Sequence, residues 1–324
     1  MVDHMQILDQ AQTEHSMPFD RLFDAIESMF IEGCNVPLRH NHAIENAGHA
    51  TGTLLLMPAW QAGKHLGLKT VSIFPDNNTQ GLPGLHSTYT LFDATTGKPL
   101  AALNGDVITS RRTAAASALA ARWLSRPDSQ TLLVVGAGRI ASLLADAYRT
   151  VRPIRTVLVW DRNADNALAL VERLNRDGFD AHHVRELESA ARQADIITCA
   201  TLATEPLIKG EWLQAGTHLD LIGSFMPTMR ESDDACFTRA TVFVDTDEAA
   251  MKSGDILEPI KSGKFDPADI TATLEDLCQG RHPGRQSADE ITLFKAVGTA
   301  LEDLAAATLA YDLWQEQSST FTPG

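Results

Sequence analysis

At 324 residues, with 44% hydrophobic content, the chain is long enough for two domains with sizeable cores. Its formal net charge of −15 argues against nonspecific nucleic-acid binding, because neutralising phosphates needs a basic face. Four cysteines, Cys34, Cys199, Cys236 and Cys278, lie far apart with no CxxC pair, a spacing that suits reduced thiols better than a disulfide frame or a zinc site. No basic segment followed by an apolar core opens the chain, and no apolar run approaches the roughly 18–20 residues of a membrane span. A cytoplasmic protein without a membrane or nucleic-acid partner is expected.

Residues 1 to about 113 lack a strand–helix–strand rhythm. A helix is predicted over Pro18–Glu32, then strands over Gly52–Pro58, Gly67–Phe74 and Ser87–Phe92, separated by glycine- and proline-rich turns. This reads as an α+β substrate domain. It carries the polar side chains that a small anion would need: Arg39, Lys69 on a strand, His86, and Arg111-Arg112-Thr113 opening an alanine-rich helix to Leu124. An arginine fork holds a carboxylate by two charge-assisted hydrogen bonds, and a lysine with a lowered pKa can shuttle a proton to a C=N group. Taken singly, each also fits plain surface solvation, and His86 fits a packed loop histidine.

Beyond Ser125-Arg-Pro-Asp-Ser129, strands and helices alternate. The run Thr131-Leu-Leu-Val-Val-Gly-Ala-Gly-Arg-Ile-Ala141 is an apolar strand entering a glycine turn, followed by a helix over Ser142–Arg149. A second strand, Thr156–Trp160, ends at Asp161, 25 positions after Gly136. That is the pattern of a dinucleotide-binding βαβ unit. Gly136 permits the turn, Gly138 lets backbone N–H groups approach a pyrophosphate, Ala141 is small enough for close packing, and Asp161 can accept from a ribose. Further strands are predicted at 195–200, 218–223 and 241–245, a helix at Glu186–Gln193, and one long helix at Asp289–Trp314 with a frayed tail from Ser318. The alternation implies a parallel sheet covered on both faces. Ligands of such a sheet sit beyond the carboxyl ends of its strands, which selects Asp161, Arg162, Thr201 and Gly223-Ser224-Phe225. Asp161 repels a 2′-phosphate whereas Arg162 could pair with one, so the choice between NADH and NADPH stays open. His182-His183 lacks further ligands, so no metal site is expected and the pair reads as solvent-exposed.

Together these segments resemble the ornithine cyclodeaminase/μ-crystallin family. The resemblance rests on Pro37-Leu-Arg39, Arg111–Ala121, Val135-Gly-Ala-Gly138, Ile222-Gly-Ser-Phe-Met-Pro-Thr-Met-Arg-Glu231, Phe294-Lys-Ala-Val-Gly298 and Leu301-Glu-Asp303. It implies an α/β fold and a homodimer, with a Rossmann-type domain at 114–303 inserted into an α+β dimerisation/substrate domain formed by 1–113 and 304–324. It places Arg39 and Lys69 in the substrate pocket and Arg112 between cofactor and substrate. Gly138, Arg139, Ile140, Asp161, Thr201, Gly223, Ser224 and Ala296 match dinucleotide contacts, and Val297 matches a residue closing over the substrate.

One departure bears on activity. Cyclodeaminases of this family carry a catalytic aspartate six residues before the glutamate matching Glu231; here Phe225 stands there. Phenylalanine can neither accept nor donate a proton, but it can wall an apolar ring. The loop therefore resembles the ketimine-reductase branch, which implies NAD(P)H-dependent reduction of small cyclic imino acids to L-proline or L-pipecolate. Alternative expectations are a cyclodeaminase, an amino-acid dehydrogenase on the same scaffold, or a nucleotide-binding protein without turnover.

Overall fold

A computed structural model describes residues 4–320. The chain folds as two compact units, one reaching to Arg112 and resuming at Thr299, the other spanning Thr113–Gly298. The return was expected at 304 and comes earlier, because Gly298 (φ 79°) makes a turn and a helix belonging to the first unit starts at Ala300. No helix among the described residues is long and apolar enough to cross a membrane.

The first unit is built on six strands: β1 (Gln6–Leu8), β2 (His40–Ile44), β3 (Gly52–Trp60), β4 (His65–Ile73), β5 (Leu85–Asp93) and β6 (Pro99–Asn104). Their order is β1-β6-β5-β4-β3-β2, antiparallel throughout except for the β1–β6 pair. Side chains alternate between faces, so cross-strand partners share a face. One face is buried: Met57, Lys69, Tyr89 and Leu103 form a row across β3, β4, β5 and β6. Helices Phe19–Glu32 and Ala300–Thr320 pack together, and the latter lies against β3, β4 and β5. Helix Phe19–Glu32 buries Leu22, Phe23, Ile26, Met29 and Phe30, the three-to-four spacing of one helical stripe; Pro18 precedes it and Gly33 ends it. The short strands β1, β2 and β6 were not anticipated. Residues on β2 are all exposed, so no apolar alternation marks that strand.

The second unit holds β7 (Thr131–Val135), β8 (Thr156–Trp160), β9 (Asp180–His183), β10 (Ile196–Cys199), β11 (His218–Leu221), β12 (Thr241–Val244), β13 (Ile270–Thr273) and β14 (Thr292–Lys295). All pairs are parallel, in the order β13-β12-β14-β11-β10-β7-β8-β9. Leu132–Val135 and Ile196–Cys199 are buried without alternation, as strands covered on both faces must be. The chain leaves β7 toward β8 on one side and later fills β10 on the other, so the direction of winding reverses between β7 and β10.

Two expectations fail here. Asp289–Trp314 is not one helix: Thr292–Lys295 is a fully buried strand between β11 and β12, and the helix begins only at Ala300. A short apolar run has no periodicity to separate a buried strand from a helix segment, and Gly298 was the overlooked punctuation. The helix also continues through Thr320, where fraying was expected from Ser318; the remainder of that tail lies outside the described residues. His182 and His183 fall on β9; His182 is exposed and pairs with Asp180 (2.9 Å), while His183 is half-buried.

Candidate functional site

The reversal between β7 and β10 is where a doubly wound sheet opens a crevice. A cavity of about 290 Å³ lies there, lined by Gly136, Ala137 and Gly138 after β7, Trp160 to Arg162 after β8, and Ala200 to Ala203 after β10. Gly136 has φ +108°, and a Cβ on it would meet the Ala200 carbonyl at 2.7 Å. Its N–H donates to the Trp160 carbonyl (2.7 Å), which locks the turn onto the end of β8. A Cβ on Gly138 would meet nothing within 4 Å, so the turn is open on its ligand side. No side chain caps the following helix at Ile140, which leaves its N-terminus suited to an anion. The cradle therefore fits the pyrophosphate of a dinucleotide. Gly136→Ala is expected to weaken dinucleotide binding by about tenfold or more, roughly 1.4 kcal/mol, from left-handed strain and a backbone clash. An unchanged Kd in fluorescence titration would contradict this role.

Asp161 is half-buried on the cavity wall. Its Oδ2 accepts from Ala137 N (2.8 Å) and its Oδ1 from Asn163 N (2.7 Å), so the carboxylate also braces the glycine turn. Arg162 and Arg139 are exposed, Arg162 on the cavity wall and Arg139 just past Gly138. Thr201 lines the cavity, but its hydroxyl donates inward to Glu231 Oε1 (2.8 Å). The Ser224 side chain is turned inward. Its hydroxyl is fully buried, donates to the Met229 carbonyl (2.6 Å) and accepts from Asp255 N (3.1 Å). Only its backbone is left to meet a ligand. Ala296 extends the β14–β11 pairing through Leu221 O (3.1 Å), while the N–H groups of Val297 and Gly298 are both held by Asp245 Oδ2 (2.7 and 2.6 Å). Phe225 and Met226 stand out from their loop, 45% and 49% exposed.

The first unit gathers a second set. Lys69 is 3% exposed on the covered face of β4, and its Nζ lies 2.5 Å from Asp303 Oδ2. Asp303 also accepts from Arg112 Nε (2.9 Å), and Glu302 from Arg112 Nη1 (2.7 Å). Burial brings the Lys69 ammonium down to about 8, against the pull of Asp303 and with the help of Arg112 and Arg39. Asp303 stays below the usual carboxylate range, because Lys69 and Arg112 together outweigh its burial. Tyr89, opposite Lys69 on β5, is held well above its ordinary value by burial and by Asp303; its hydroxyl is buried with no hydrogen-bond partner among the described residues. Lys69, Arg112 and Arg39 thus share one electrostatic environment.

His86 does not join them. It pairs with Ser72 at the start of β5, exposed, on the opposite sheet face from Lys69 and Tyr89. It lies three positions before Tyr89, and an odd spacing on a strand reverses the face. In the sequence Glu231, Lys295, Glu302 and Asp303 stand out only as members of the family motifs, and Asp255 and Tyr89 not at all. Two adjacent acids inside the apolar run Ala300–Ala310, and a lysine inside Ile291–Val297, were the available signals.

Comparison with known proteins agrees with this geometry. A family model described as the ornithine cyclodeaminase/mu-crystallin family matches residues 3–318. A Δ1-pyrroline-2-carboxylate reductase of Paracoccus denitrificans is 40% identical over 280 residues, 84% of this chain and 89% of the relative. The ketimine reductase mu-crystallin of Rattus norvegicus is 36% identical over 265 residues, 81% of each chain. The structure of Thermococcus litoralis Δ1-pyrroline-2-carboxylate reductase, in complex with NADH and L-proline, superposes with a TM-score of 0.90 at 35% identity, covering 97% of this chain and 98% of that one. With a cofactor cradle after β7 and a buried lysine–arginine–carboxylate set in the other unit, this chain belongs to the ornithine cyclodeaminase/mu-crystallin family.

Proposed function

We propose that the protein is an NAD(P)H-dependent oxidoreductase that reduces cyclic 2-ketimine carboxylates, Δ1-pyrroline-2-carboxylate to L-proline and Δ1-piperideine-2-carboxylate to L-pipecolate. The observation that carries this reading is Lys69, buried with Arg112 against Asp303 in a chain that also bears a dinucleotide cradle. Similarity to a Δ1-pyrroline-2-carboxylate reductase and to a ketimine reductase supports it.

When bound, the reduced nicotinamide supplies a hydride for the imine carbon. The remaining requirements fall on this chain. Arg39 and Arg112 hold the carboxylate, and Arg112 is itself fixed in orientation by Glu302 and Asp303. Lys69 has its protonated form available up to about pH 8 and carries the proton for the ring nitrogen, with Asp303 stabilising the ammonium. Phe225 offers no proton-transfer group where a cyclodeaminase needs one, so amine oxidation with loss of ammonia is disfavoured. The test is one steady-state comparison of both cyclic imines, each with NADH and NADPH, beside L-ornithine with NAD. Consumption of reduced cofactor with an imine supports the reading; proline and ammonia from ornithine would overturn it.

A homodimer belongs to the same proposal. The sheet face turned away from Lys69 carries Leu54, Leu56, Trp60, Leu66, Leu68 and Phe92, all half-buried. A row of large apolar side chains of this kind suits a second copy of the chain. A solution mass near twice 35.2 kDa is expected by light scattering.

A further inference from the structure

Behind the cradle lies a buried polar cluster that no step above uses. We propose that Glu231 is the positioning residue of the dinucleotide site: its single carboxylate ties the loop after β10 to the turn after β11. Oε1 accepts from both Thr201 N (2.7 Å) and Thr201 Oγ1 (2.8 Å), and Oε2 accepts from Gly223 N (2.7 Å). Glu231 is fully buried and does not line the cavity, whereas Thr201, Leu202 and Ala203 do. It acts on the ligand through the loop it holds.

The carboxylate is itself anchored. Glu231 N and Ser232 N donate to Asp255 Oδ1 (2.8 and 2.9 Å), and the Glu231 carbonyl accepts from Leu207 N and Ile208 N. Lys295, also fully buried, donates to the Leu221 carbonyl (3.0 Å) and lies 3.7 Å from Asp255 Oδ2. Gly223 belongs to the same device. A Cβ there would sit 2.4 Å from Glu231 Oε1 and 2.0 Å from the Thr201 carbonyl, so only glycine lets the two segments meet on one acid.

Three donors converge on two oxygens, an arrangement that only the carboxylate anion satisfies completely. An amide turns a donor toward a donor at one of the two segments, and a protonated acid must place its own proton among the same donors; a buried mismatch of this kind is costly. Protonation is within reach of neutral pH. Burial pushes the Glu231 acid up to about 7, opposed by Lys295 on β14 and the Thr201 donors and reinforced by Asp255 at the start of helix Gly254–Lys261. The Cys199 thiol on β10 is driven up by its own burial and stays neutral, and Asp220 on β11, which shares Lys295 with Glu231, is pushed up to about 6 by burial. Burial thus outweighs the three donors, so the contribution of this acid to folding stability is full in acid and is lost as the pH rises through about 7.

The inference rests on the dinucleotide reading of the cradle and not on which imine is reduced. The experiment is NADH titration by fluorescence near pH 8, with steady-state kinetics beside it, on the wild type, Glu231→Gln and Thr201→Val; one unit above its pKa about nine acids in ten are ionised. Glu231→Gln should bind NADH about tenfold more weakly than wild type, and the loss should appear in KM for NADH rather than in kcat at saturating cofactor. Thr201→Val, which removes one donor to the anion and keeps the backbone one, should weaken binding in the same direction by about threefold, and it decides the matter alone if Glu231→Gln does not fold. Wild-type affinity in either variant, or a loss confined to kcat with KM for NADH unmoved, overturns the proposal. Failure of the wild type to bind NADH would overturn the cradle with it.

Discussion

Lys69→Met is expected to lower kcat for cyclic-imine reduction by about 10²–10⁴-fold, the range over which a positioned acid or base contributes. NADH affinity should stay within about threefold of wild type, because the residues lining the cradle all belong to the other unit. Methionine keeps the length and apolar stem of the side chain but removes the charge from a site that is 3% exposed. The wild-type profile carries the sign of the effect. Burial brings the Lys69 ammonium to about 8, so the proton-carrying form is lost, and turnover falls, as the pH climbs through that value. In Lys69→Met that alkaline limb should vanish from whatever rate remains. Single-turnover kinetics with preloaded NADH measures both effects, and an unchanged rate would remove Lys69 from the chemistry.

Asp303→Asn should act on stability and on two cations at once. Asp303 is fully buried between Lys69 Nζ (2.5 Å) and Arg112 Nε (2.9 Å), and removing one partner of a buried ion pair costs about 3–5 kcal/mol. Its folded-state pKa is depressed, so this stabilisation is present above the unfolded carboxyl value near 4 and disappears as the pH falls through the lower folded value. Chemical denaturation of wild type and variant should therefore differ most near neutrality and converge in acid. Asp303 also supports the Lys69 ammonium, while Arg112 and Arg39 oppose it. Its loss should move the alkaline limb of kcat/KM below about 8. KM for the imine should rise, because Arg112 keeps only the Glu302 half of its clamp. A pH profile unmoved from wild type would show that Lys69 titrates independently of Asp303.

The parts legible in the sequence were those with local causes. The glycine turn at Gly136 to Gly138 and Asp161 at the end of β8 follow from backbone freedom and strand periodicity within about 30 residues. Helix Phe19–Glu32 was readable for the same reason, since a single apolar stripe marks it, and strands β3 to β5 were readable from the turn-forming residues that separate them. Strand β14 was not readable. Its four residues are buried because β11 and β12 flank them, and nothing in Thr-Leu-Phe-Lys declares that neighbourhood. His86 shows the converse, a residue of suitable chemistry on a legible strand whose register turns it to the face opposite Lys69.

The amino-acid order alone therefore determined the class of fold and the cofactor turn, whereas Arg39, Lys69 and Arg112 stood out only through the family resemblance, since each by itself also fitted surface solvation. Tertiary structure decided which acids meet them. Asp303 reaches Lys69 across 234 positions of chain, and Glu231 reaches Thr201 across 30 and Gly223 across eight. Such pairings are set by how helices and strands pack, and the low dielectric around them then fixes the charge states on which binding and proton transfer depend.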